Sequence, residues 1–141
     1  MDTIERFRAA VEHRDADALE PLFAVAPRFF SPVKFRPFEG RELVLGVFGV
    51  LLRRVFEDFR YVGTLSGEAE TDADEHADSH VLIFRATVGG RQIHGIDLIQ
   101  LDEDGLISEF TVMVRPLSAV TTLGEAVHAG LVAEGLVPAD A

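Results

Sequence analysis

Two adjacent glycines, Gly89 and Gly90, separate two runs in which apolar and polar residues alternate, and this feature limits the fold more tightly than any other in the chain. A two-residue turn between antiparallel strands requires positive φ at its central residues, which glycine adopts without steric cost. Placing the turn there sets the register, because Val88 must face Arg91 and every earlier pair follows. Leu82 then lies opposite Asp97, Phe84 opposite Gly95 and Arg85 opposite His94. Asp97 thereby shares a face with Leu82, Phe84 and Ile99.

The alternation extends to both sides of this hairpin. Beyond Asp58 the apolar period is two, giving four expected strands: Phe59 to Ser66, His80 to Val88, Arg91 to Leu101 and Leu106 to Arg115. A four-residue turn, Asp102-Glu103-Asp104-Gly105, pairs Leu101 with Leu106 and brings Phe110, Val112 and Val114 to the face of Asp97. A three-residue loop with a bulge would invert that arrangement. The first register is preferred because it gathers apolar side chains on one face and leaves Glu109, Thr111, Met113 and Arg115 with His94 and Arg85 on the other.

The segments before the strands carry helical periods. Asp2 caps a first helix, with Glu5 three residues on, and Ile4, Phe7 and Val11 form its apolar stripe. A second cap at Asp15 opens a short helix through Phe23. Pro27 breaks the pattern, and Arg28 to Ser31 reads as a short strand. From Gly40 to about Phe56 the positions Leu43, Val44, Val47, Phe48, Leu51 and Val55 recur at three and four, which predicts the longest helix. Gly46 and Gly49 inside it imply the close approach of another backbone. After Pro116, Thr122 and Glu125 signal a last helix with Leu123, Val127 and Leu131 on one side, to be docked on the sheet or on a neighbouring subunit. This order predicts an α+β fold, one domain over residues 1–141, with helices on one face of a curled antiparallel sheet.

Composition limits the partners. With 24 acidic against 13 basic side chains the net charge is −11, which opposes nucleic acid, whose affinity comes chiefly from Lys and Arg contacts to phosphate. Lys34 is the sole lysine. At 48% hydrophobic residues the chain has material for a core. The absence of cysteine removes disulfides, thiolate metal sites and thiol nucleophiles. The longest apolar run, Leu43 to Leu52, is about half of the roughly 20 residues a bilayer span requires, so no membrane partner is expected. The first residues alternate charges instead of forming a basic then apolar leader, and a cytoplasmic location is the expectation.

Several clusters carry side chains capable of chemistry. Residues 68–80 hold Glu68, Glu70, Asp72, Asp74, Glu75 and Asp78 with His76 and His80, but lack the spacing of a calcium loop or a zinc helix. The stretch reads as a solvated hairpin loop, and no metal or cofactor is expected. Between Arg28 and Phe38, Arg28, Lys34 and Arg36 interleave with four phenylalanines. This pattern reads as a pocket-mouth loop that buries its rings and extends its cations outward. His94, facing Arg85 on the surface opposite Asp97, reads as an interface or structural residue, and His80 and His94 serve as candidate bases only in a different register. Asp97 is the residue with no bland account: an aspartate between Ile96 and Leu98, with apolar neighbours on its own face. A carboxyl so placed either finds donors or becomes a neutral acid able to hydrogen-bond a ligand carbonyl.

The segment Gly95-Ile96-Asp97-Leu98-Ile99-Gln100-Leu101-Asp102-Glu103-Asp104-Gly105-Leu106-Ile107, the Gly40-Arg41-Glu42 helix start and the amphipathic first helix resemble the SnoaL-like branch of the nuclear transport factor 2-like superfamily over nearly the whole chain. The resemblance implies a cone-shaped, cystatin-like α+β fold with helices on the concave face of the sheet, enclosing a cavity, and a homodimer formed through the outer sheet face. In ketosteroid isomerases of this fold, Asp97 would correspond to the protonated aspartate of the oxyanion hole. Phe7 stands at the tyrosine that shares that hole, and Ser31 near the aspartate base. In SnoaL-type polyketide cyclases and limonene epoxide hydrolases an essential aspartate would fall at Val112, and the hydrolase Arg-x-Asp at His80 and Leu82. The expected function is therefore binding of a small apolar molecule in a cavity lined by Phe7, Ser31, Leu82, Phe84, Ile99, Phe110, Val112 and Val114, with Asp97 as polar anchor. An isomerase or polyketide cyclase using Asp97 as general acid is the alternative. A protein-interaction module using the outer sheet is the third reading.

Overall fold

The computed structural model describes residues 1–139. Helix α1 (Thr3–Glu12) begins where Asp2 accepts the Glu5 amide at 2.8 Å, and it buries Ile4, Phe7, Ala10 and Val11. A 3₁₀ turn (Asp17–Leu22) leads into β1 (Phe23–Phe30), followed by the two-residue β2 (Phe38–Glu39). Helix α2 (Arg41–Val50) continues as a π-helical turn over Leu51–Val55, in which the Phe56 amide reaches back to the Leu51 carbonyl. Strands β3 (Glu57–Glu70), β4 (His76–Val88), β5 (Arg91–Leu101) and β6 (Ile107–Arg115) follow, then helix α3 (Leu117–Ala133). The six strands form one sheet in the order β2-β1-β6-β5-β4-β3. The result is an α+β fold whose curled, unclosed sheet carries the helices over one face.

The hairpin at Gly89-Gly90 has the geometry its sequence requires. Both glycines have positive φ, 53° and 79°, and β4 pairs with β5 without interruption from Val88 against Arg91 to Asp78 against Leu101. No bulge occurs at Gly95, where a Cβ would lie 2.6 Å from the Phe84 ring of the neighbouring strand.

The next hairpin differs from the expected pairing while keeping the expected faces. Leu101 pairs with Ile107 instead of Leu106, and a bulge beside it sets Gln100 against Glu109 and Asp97 against Val112, two residues from the expected register. The Asp102 carboxylate enlarges the turn by accepting the amides of Asp104 and Leu106 at 2.9 and 3.0 Å. The longer loop and the bulge each shift the strand by one residue, and two such shifts restore the original side-chain parity.

Other boundaries move for identifiable reasons. Strand β1 is longer than Arg28 to Ser31 and runs parallel to β6, so the sheet is not purely antiparallel; its register breaks between Phe23 and Arg28, where Pro27 supplies no amide. The acidic stretch is mostly strand, not loop, because β3 and β4 pair up to Glu70 against His76. Its tip is tied down: the Gln100 side chain donates to the carbonyls of Ala69 and Glu70 at 3.3 Å, and the buried Glu109 accepts the Asp72 amide at 3.0 Å and Arg28 at 2.7 Å. Helix α3 starts more than a turn before Thr122, whose hydroxyl donates to the Ser118 carbonyl inside the helix. The glycines of α2 admit side chains, not a backbone: Leu136 lies against Gly46 and the guanidinium of Arg53 against Gly49.

Candidate functional site

Between the helices and the sheet lies a cavity of about 110 Å³. Its walls are apolar, built from Phe7 and Val11 of α1, Val47 and Phe48 of α2, Phe110 and Val112 of β6, and Leu123, Val127 and Leu131 of α3. The π-helical turn brings Leu51 and Leu52 to the same wall, and Phe56 and Phe59 close it. Five lining residues have polar side chains: Ser31, Lys34, Tyr61, Asp97 and His128.

Two of these five meet. Tyr61 on β3 and Asp97 on β5 flank β4, and the Tyr61 hydroxyl donates to Asp97 Oδ2 at 2.9 Å, both groups being buried. Among the described residues Tyr61 is the one side-chain partner of that carboxyl. Alternation within β3 explains the placement, since Phe59 and Tyr61 share a face and their rings meet edge to face at 5.0 Å. Across β5 and β6, Asp97 pairs with Val112, which supplies no polar group.

Burial governs the electrostatics of this pair. Loss of water disfavours the carboxylate and pushes the Asp97 carboxyl from 3.8 to about 7, against the opposing effect of the Tyr61 hydrogen bond. Burial likewise raises the Tyr61 phenol well above 10, with the charge of Asp97 adding to the effect. Below about pH 7 the site thus holds two neutral protic groups. Because the phenol's one proton is engaged at Oδ2, it is the neutral Asp97 carboxyl that can donate a hydrogen bond to an oxygen of a bound molecule, without introducing a buried charge.

The residues singled out from the sequence divide by position. Phe7, Ser31, Asp97, Phe110 and Val112 line the cavity. Leu82, Phe84 and Ile99 are fully buried core residues that do not line it; Phe84 lies one layer behind, its ring stacked on Phe59 at 4.9 Å. Val114 borders a groove on the other side of β6. The two candidate bases stand elsewhere. His80 sits 3.1 Å from Asp78, and His94 lies between Arg115 and Arg85 in the register, its imidazolium disfavoured by partial burial and by those two cations. In the mouth loop the phenylalanines are not uniformly buried, for Phe35 is 95% exposed.

Sequence reasoning passed over Tyr61 and gave His128 a place on a helix but no role. The usable signal for Tyr61 was its uniqueness as the sole tyrosine together with its even spacing from Phe59. His128 follows Gly124 by one helical turn on the apolar side of α3, and periodicity alone did not separate it from a surface position.

Neither the family models nor the curated proteins searched gave a match. Solved structures did. An uncharacterized protein with a cystatin-like fold from Silicibacter pomeroyi is 32% identical, with 94% of this chain and 87% of that one covered and a TM-score of 0.82. A steroid delta-isomerase from Pseudomonas aeruginosa is 36% identical, with 96% and 93% covered and a TM-score of 0.83. An NTF2-like protein of unknown function from Cytophaga hutchinsonii shares the fold at 19% identity, with 81% and 88% covered and a TM-score of 0.56.

Proposed function

The chain belongs to the nuclear transport factor 2-like superfamily, and from that premise we propose that its cavity binds a small, largely apolar carbonyl compound whose oxygen is held by Asp97, itself positioned by Tyr61. The observation that carries this reading is the buried 2.9 Å contact between Tyr61 and Asp97 inside an otherwise apolar enclosure. Tyr61 occupies Oδ2, so the neutral acid carries its proton on the other carboxyl oxygen and donates it as a hydrogen bond to the ligand carbonyl. Phenylalanine stands at position 7, and Tyr61 reaches the aspartate from β3 instead. Cavity size restricts the ligand: about 110 Å³ is of the same order as the roughly 150 Å³ that takes benzene and well below the roughly 300 Å³ at which drug-sized pockets begin. A single ring or a short chain suits it, and a four-ring skeleton does not.

Calorimetric or NMR titration with cyclohex-2-enone and with cyclohexene tests the proposal. The enone is expected to bind more tightly than the hydrocarbon at pH 5.5, and to lose that advantage in Asp97→Leu. Equal affinity for the two probes would sink the reading.

A second reading, an isomerase, is favoured by the 36% identity to a protein described as a steroid delta-isomerase. Such a reaction moves a proton from one carbon to another and needs an acceptor as well as an oxygen-binding pair. Among the described cavity residues the imidazole of His128 is the group for that role. Exchange of deuterium at the α-carbon of cyclohex-2-enone, followed by proton NMR, would be accelerated by the protein and not by His128→Gln; no acceleration leaves the binding reading alone.

The SnoaL-like branch and a homodimer belong to the same proposal. On the outer sheet face the pairings set Leu65, Val81, Ile83, Ile96, Leu98 and Met113 side by side, and Leu65 and Met113 are 62% and 51% exposed. An apolar strip of this kind is the natural contact for a second copy.

A further inference from the structure

The cavity has a second polar end. Tyr61 and Asp97 belong to the sheet side, whereas Lys34 and His128 come from the loop after β1 and from α3. That loop is set by its own chemistry: the Ser31 hydroxyl accepts the amides of Val33 and Lys34 at 3.3 and 3.2 Å. The Val33 methyls rest on α3 at Gly124, where a Cβ would lie 3.1 Å from both, and His128 is one turn further along the same helix face. Lys34 therefore stands at the rim beside the helix surface that carries His128.

Lys34 makes no ion pair with any described residue. It also borders the outer groove, yet the carboxylates there have other partners: Arg28 holds Asp72 at 3.1 Å and Glu109 at 2.7 Å, and Glu70 lies 4.0 Å from His76. In a chain of net charge −11, an ammonium paired with no carboxylate among the described residues, at the mouth of an apolar cavity, is a place for an anionic group of the ligand.

Resting on the carbonyl site proposed above, we infer that the ligand is a small keto acid, with its carbonyl inside at Tyr61 and Asp97 and its carboxylate at the rim against Lys34. The carbon skeleton between them fills the apolar walls. Because the rim is solvated, the ion pair is modest and contributes on the order of fivefold in affinity.

The test compares 4-oxocyclohexanecarboxylate with its methyl ester by titration calorimetry at low salt, on the wild type, Lys34→Met and Lys34→Arg. Lys34 is exposed, so neither substitution disturbs the core. The acid is expected to bind the wild type and Lys34→Arg on the order of fivefold more tightly than the ester, and to lose that preference in Lys34→Met, while the ester binds all three equally. An acid no tighter than the ester on the wild type, or a preference that survives Lys34→Met, overturns the carboxylate end alone. Failure of the wild type to bind either ring ketone overturns the carbonyl site and this inference with it.

Discussion

The hydroxyl of Tyr61 donates a 2.9 Å hydrogen bond to Oδ2 of Asp97 across a sequence separation of 36 residues, joining two strands that flank a third. Each residue meets the other because its strand alternates in step with the sheet, and the strand between them contributes only hydrocarbon at that level, Leu82 and Phe84.

The first prediction concerns stability against pH. The folded protein holds Asp97 at about 7 and the unfolded chain near 3.8, so between these values the folded state binds more protons and stability falls as pH rises. The cost is fully present above about pH 7, and at about 1.4 kcal/mol per pH unit it reaches at most ~4 kcal/mol. Asp97→Asn retains an oxygen for Tyr61 and removes the charge. Urea unfolding should show the variant more stable than the wild type at pH 8 and nearly equal at pH 4; the same difference at both values would count against a raised Asp97.

Tyr61→Phe should move the titration of Asp97 upward. The phenol hydrogen bond favours the carboxylate, and deleting it leaves only the desolvation that raises the group. Carbon-13 NMR of the Asp97 carboxyl would show a midpoint about 7 in the wild type and a higher one in the variant. A lower midpoint in Tyr61→Phe would contradict the assigned hydrogen bond.

Glu109 is buried, and it holds both Arg28 and the Asp72 amide, so its replacement should loosen the β3–β4 tip. Removing one partner of a buried pair costs up to about 3–5 kcal/mol, and the partial exposure of Arg28 reduces this to roughly 1–3 kcal/mol for Glu109→Ala. Glu109→Gln should cost less because its carbonyl still accepts one donor. Hydrogen exchange at the Asp72 amide should accelerate in the alanine variant, while the Gly89-Gly90 end of the sheet stays protected.

Two glycine substitutions should differ in sign. A Cβ at Gly130 would lie 2.5 Å from Cγ1 of Val50, a stiff β-branched side chain on α2. Gly130→Ala is expected to destabilise by roughly 1–2 kcal/mol despite better helix propensity. At Gly46 the obstacle is the flexible end of Leu136, and Gly46→Ala should be neutral or stabilising by up to about 1 kcal/mol. Equal destabilisation in thermal melts of both variants would show that Leu136 cannot yield.

The outer-face strip predicts a dimer. Sedimentation velocity at micromolar concentration should show a species near twice 15.5 kDa, and Met113→Glu should shift it toward monomer by placing a charge among Ile96, Leu98 and Ile83. A single 15.5 kDa species in the wild type would refute it.

Local signals in the chain determined the hairpin at Gly89-Gly90, the pairing of Asp97 with Leu82 and the face shared with Phe110 and Val112, because turn chemistry and two-residue alternation act over a few residues. They also marked Asp97 as a carboxyl out of place. Tertiary structure alone decided what that carboxyl touches: no local period links residue 61 to residue 97, and their contact depends on the twist of three strands and the helices laid over them. The same holds for β1, whose parallel pairing with β6 is a long-range event that Pro27 obscured, and for the strand-forming acidic stretch, which gains its order from Gln100 and Glu109 far along the chain. The cavity belongs to this second class. Leu82 and Ile99 lie on the face of Asp97 yet are filled in by packing, while Lys34 and His128 reach the cavity from a loop and a helix, because an enclosed volume is set by how layers meet and not by the pattern within any one of them.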